Sequence, residues 1–159
     1  MPEMTILGWF HTVLGVLAVL SGFYTLYKYR VITVATTSGR LYVYVTLIVA
    51  GSALGIYNQG GFGIAHILAV LTLVALAGGL IMEKTRLFGS LSKYFQALGY
   101  TSTLLFHMIP AITDFLRRLP ISDPFIDSFE DPLLLNFHQA FLLIFILGII
   151  TQFFWLKKQ

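Results

Sequence analysis

Five apolar runs follow one another with only short links between them, and this pattern constrains the chain more than any motif in it. They fall at about 5–28, 41–58, 62–82, 94–116 and 133–156, close to the ~20 residues that a helix needs to cross a bilayer. Inside hydrocarbon, backbone N–H and C=O groups must be paired within the segment, which favours helices. The pattern predicts an all-α integral membrane bundle of five transmembrane helices. It forms a single membrane domain over 1–159, with one longer loop at 117–132. The composition agrees, with 57% hydrophobic and only 11% charged residues, where a soluble domain carries about 25% charged. The first run begins without a basic leader and reads as a retained span, not a cleaved signal.

The links carry a strong charge bias. Lys28, Arg30, Arg40, Lys84, Arg86, Lys93, Lys157 and Lys158 fall on one side of the expected bundle, and only Arg117 and Arg118 on the other. The positive-inside rule makes the first side cytoplasmic, so the N-terminus and the acidic loop face outward. Thr36 to Gly39 read as a turn, and Tyr42, Tyr44 and Tyr57 as interfacial aromatics near the ends of the second span. In the first span Gly8, His11, Gly15, Ala18 and Gly22 recur in steps of three and four, so they share one face that should pack inward. Pro110 interrupts the fourth span and predicts a kink. Phe125, Ile126 and Phe129 should fold the acidic loop back onto the bundle mouth.

Ionisable side chains inside membrane spans are costly and mark candidate sites. His11, His66 and His138 each follow the outer start of a span by roughly 8 Å, and His107 precedes an outer exit by roughly 10–14 Å. Four histidines from four helices are thus expected at similar depth in the outer half. Neutral imidazole ligates zinc, copper and iron, and it also exchanges protons near neutral pH. The expected site is therefore a transition metal or a single haem b held by His11, His66, His107 and His138. Asp114, seven residues after His107, would serve as an additional ligand or orient a ring. Gly15, one turn from His11, would make room for a macrocycle. With no cysteine in the chain, disulfides, thiolate metal centres, iron–sulfur clusters and covalent c-type haem are excluded. The formal charge of +3, spread over short links, offers no surface for nucleic acid.

The elements Thr37-Ser-Gly-Arg-Leu-Tyr-Val-Tyr44, Phe62-Gly-Ile-Ala-His-Ile-Leu-Ala69 and Phe106-His-Met-Ile-Pro110 with Arg118-Leu-Pro120 resemble a group of small bacterial inner-membrane proteins of unknown function. The resemblance implies a fold of four or five helices in that membrane, without an activity. Members often carry a histidine ahead of the Gly-Arg-x-Tyr element, where this chain has Thr36 to Ser38. A looser likeness is to cytochrome b561-type bundles, which hold haem b between histidines of neighbouring helices. Those need pairs at both depths, so one haem at most is implied here. Two functions follow as expectations: quinone-linked electron transfer at an outer histidine site, or a non-catalytic accessory or assembly subunit of a larger membrane complex. A proton-coupled transporter is the weakest of the expectations, because the cytoplasmic half is read as offering no ionisable group to continue a path.

Overall fold

The computed structural model describes residues 5–57 and 61–159. It holds five α-helices: α1 (Ile6–Tyr29), α2 (Thr37–Ala53), α3 (Ile64–Thr85), α4 (Ser92–Arg118) and α5 (Pro132–Lys157), with a short 3-10 turn at Gly89–Leu91 leading into α4. No strand occurs among the described residues. The chain is an all-helical membrane protein, as the apolar runs predict.

By length and apolar character, three of these helices can cross a membrane (α1, α3 and α5), not all five. Two different causes hold the others back. α2 has 17 residues, about 25 Å of helix, short of the ~30 Å hydrocarbon core. α4 is long enough at 27 residues, but it spends much of one face on polar side chains.

The start of α2 corrects one sequence expectation. Thr36 to Gly39 do not form a turn: the Thr36 hydroxyl accepts the Gly39 N–H at 3.2 Å and caps the helix, so Thr37 to Gly39 are its first turn. The expected end of the second span at Asn58, and the link at 58–60, lie outside the described residues. At Pro110 α4 continues without interruption to Arg118.

The helices alternate in direction, which side-chain bonds at their ends establish. Gln96 near the start of α4 donates to the Ile32 carbonyl just after α1, and Lys93 donates to the Leu156 carbonyl at the end of α5. Glu83 at the end of α3 accepts from Tyr100 of α4 and from Val34. The sequence places eight of the ten Lys and Arg residues in the links and termini of this side, called here the basic end. α4 is central, packing on α3, α5 and α1, while α2 bridges α1 and α3. α5 rests chiefly on α4.

Small residues set the close approaches, as the first-span stripe predicts. Gly8, Ala18 and Gly22 are buried on α1. Two glycines seat two aromatic rings. A Cβ at Gly22 would lie 2.8 Å from the Tyr42 ring, and one at Gly79 would lie 2.7 Å from the Tyr100 ring. Both tyrosines are fully buried, so Tyr42 is a core residue and not the interfacial anchor expected of it.

The acidic loop folds back as expected. Ile126 is buried against Leu116, Leu134 and Ile112, Phe125 stacks on Phe115, and the Arg117 guanidinium lies 3.8 Å from the centre of the Phe129 ring. Asp131 then caps α5 by accepting the Leu133 N–H at 2.8 Å, with Pro132 in the first turn.

The glycine seats give a test. Gly79→Ala should lower stability by about 1–3 kcal/mol through overpacking against Tyr100. Gly78→Ala, whose new methyl meets nothing within 4 Å, should leave stability level or raise it by up to about 1 kcal/mol. Thermal unfolding of both proteins in the same detergent measures the difference.

Candidate functional site: a polar seam between α2 and α4

Along α4, Gln96, Tyr100, Thr103 and His107 recur in steps of four, three and four, so they share one helical face. α2 answers with Tyr42, Thr46, the Val49 carbonyl and Ser52. The two rows meet inside the bundle and form three polar groups stacked from the basic end toward the acidic loop.

The first group centres on Glu83. Its carboxylate accepts from the Tyr100 hydroxyl at 2.9 Å, from the Val34 N–H at 3.0 Å and from the Thr33 hydroxyl. Among the described residues no cation pairs with it, and its donors are three neutral groups. The second group joins α2 to α4 directly. The Tyr42 and Thr103 hydroxyls are 2.6 Å apart, and Thr103 also lies 2.7 Å from the Tyr100 carbonyl. In the third group His107 Nε2 is 3.2 Å from the Thr46 hydroxyl, and the His107 ring stands edge-on to Tyr42 with centroids 6.4 Å apart. One turn further along α2, His11 Nδ1 lies 3.1 Å from the Val49 carbonyl and 3.2 Å from the Ser52 hydroxyl. A carbonyl can only accept, so Nδ1 of His11 carries the proton and Nε2 keeps the lone pair.

The four histidines do not meet as one ligand set. His11 and His107 lean on the same face of α2, a turn apart. His66 instead serves its own helix. Its Nδ1 accepts the Gly63 N–H at 3.1 Å, and its ring stacks on Phe62 and lies against Tyr57, with centroids 5.0 and 4.7 Å away. Satisfying a free N–H at the start of α3 is a capping role. His138 lies on the α4–α5 side, with Nε2 3.3 Å from the Thr113 hydroxyl. Asp114 is 56% exposed and pairs with Arg118 at 3.6 Å, within one turn of α4. Among the described residues no three His, Asp or Glu side chains are placed to hold a metal ion.

Glu83, Tyr42, Tyr100, Thr46 and Thr103 are the site residues that sequence reasoning missed. Glu83 reads as the first residue of a basic link, and the tyrosine as a membrane-interface anchor. The recurrence Gln96, Tyr100, Thr103, His107 was the available signal, since a polar row at helical spacing inside an apolar run must face protein and not lipid. Comparison with protein-family models, with curated proteins and with solved structures gives no match.

The tie between α2 and α4 can be measured by a double-mutant cycle. Tyr42→Phe and Thr103→Val should couple by about 0.6 kcal/mol, the average for a hydrogen bond between membrane helices, and by no more than about 1.7. At α3, His66→Ala should cost about 1 kcal/mol, as loss of a cap does, and His66→Asn should recover most of it. Unfolding in detergent reads both.

Proposed function

We propose that this chain is a multi-pass protein of the bacterial inner membrane that moves protons along the seam between α2 and α4. His11 and His107 form the exchange site toward the acidic loop, and Glu83 is the carboxylate at the basic end. The observation that carries this reading is the alignment of imidazole, hydroxyl and carboxylate groups down the bundle interior, where side chains of α2, α3 and α4 meet. An imidazole takes a proton on one nitrogen and releases it from the other. Hydroxyls donate and accept in turn, so Thr46, Tyr42, Thr103 and Tyr100 suit the stretch between. Two intervals separate the groups, one between His107 and the Tyr42 hydroxyl and one along the Tyr100 ring. Bridging water and side-chain rotation would close them.

In this reading all five helices cross. α2 and α4 are sheltered by α1, α3 and α5, so their polar faces meet each other and not lipid. The charge bias places the basic end in the cytoplasm and the loop at 119–131 outside.

A bound metal or haem b fits these residues less well. A bare zinc, copper or iron ion needs three or four ligands, and no such group converges among the described residues. A haem needs only two axial imidazoles, and the bonds of His11 and His107 to α2 leave one ring nitrogen of each uncommitted, so haem b stays as the second reading. Quinone-linked electron transfer would need such a group and belongs to that second reading. The accessory-subunit reading has no observation of its own, because the apolar faces of α5 suit lipid equally well.

Purified protein in vesicles under an imposed membrane potential, with a pH-sensitive dye inside, tests the reading. Proton flux should exceed that of protein-free vesicles and fall at least tenfold in Glu83→Gln and in His107→Phe. Ser102→Ala, on α4 outside the seam, should leave it unchanged. Flux no greater than in empty vesicles would refute proton movement. The natural lack of cysteine makes topology directly testable: single cysteines replacing Asp123 and Lys84 should react with an impermeant reagent from opposite sides.

A further inference from the structure

α1 and α5 make little direct contact, and a cavity of about 470 Å³ opens between their basic-end halves. Leu26, Arg30, Gly148, Thr151, Gln152 and Trp155 line it. Gln152 is only 6% exposed. Its side-chain carbonyl accepts from Thr101 at 3.1 Å, while its amide NH2 has no hydrogen-bond partner among the described residues. Arg30 and the Trp155 indole add two further kinds of donor, and Arg30 forms no ion pair among the described residues. The wall includes no acid. A donor-rich, acid-free pocket with one guanidinium suits an anionic oxygen cluster.

Its depth selects the source of that anion. Arg30 follows the last residue of α1, and Trp155 lies in the last turn of α5, the level at which headgroups sit and indoles concentrate. The two helices that flank it are among the three apolar enough to span a bilayer, and Phe23, Leu20 and Leu147 on them are exposed. We propose that this cleft binds an anionic phospholipid. Arg30, the Gln152 amide and the Trp155 indole would hold the phosphate, and the acyl chains would lie along α1 and α5. A zwitterionic headgroup would bring a cation for which the wall has no acid.

Native mass spectrometry of the full chain, extracted in mild detergent with equal phosphatidylglycerol and phosphatidylcholine, tests this. One phosphatidylglycerol should be retained per chain, at least fivefold over phosphatidylcholine. Arg30→Asn and Gln152→Leu should each reduce retention at least fivefold, and Arg30→Lys should restore part of it. Asparagine is chosen because Arg30 has φ of 68°, a region that asparagine tolerates. Trp155→Phe, which keeps the ring and removes the N–H, provides a variant that leaves the chain reversal after α1 untouched and should also weaken retention. Lys157→Gln, on the same end but outside the cleft, should have no effect. Equal retention of the two lipids, or retention indifferent to all the cleft variants, overturns the proposal. Binding of inorganic phosphate with no lipid retained overturns the lipid occupant.

Discussion

A tyrosine hydroxyl or an imidazole buried in an apolar bundle must find a partner, because neither lipid nor hydrocarbon side chains offer one. That demand shapes the interior of this protein. Tyr42 reaches Thr103, Tyr100 reaches Glu83, and His107 reaches Thr46, so α4 is held in register with α2 and α3 by groups that have nowhere else to bond. Gly22 and Gly79 serve the same end from outside the interface, since only a residue without a side chain lets the two phenol rings sink to that depth. The cost of polarity on α4 is thereby confined to one face, and α3, α5 and α1 cover the rest.

The helical architecture was legible because apolar runs and short links admit few alternatives. The glycine stripe of α1 and the inward fold of Ile126 were legible for the same reason, as each obeys a local rule of spacing or burial. Boundaries were less so: Thr36 reads equally as turn and as cap until the Gly39 N–H is seen to point at its hydroxyl. The site was legible only in part. Depth along a helix can be counted from the sequence, and it points to His11, His66, His107 and His138 alike. Rotation about the helix axis relative to neighbours cannot be counted without knowing which helices touch. That is why His66 and His138, similar in depth, turn to their own partners. Glu83 was hidden by its neighbours Lys84 and Arg86, which made a buried acceptor look like part of a solvated link.

The seam also places charge unusually. Among the described residues, Glu83 is bonded by hydroxyl and backbone donors and not by a cation. The phospholipid cleft lies apart from it, lined by α1 and α5, so the polar features of the basic end divide between an interior acceptor and a set of donors between helices.

The loop at 119–131 has a consequence for how the protein is made. Ile126 closes a small core with Leu116 of α4 and Leu134 of α5, so the last two helices and their connection form a unit with contacts of its own. During synthesis α1 to α3 emerge first and can assemble without them. The final hairpin then arrives as a pre-joined pair, bringing α4 to complete the interior row and α5 to shield it.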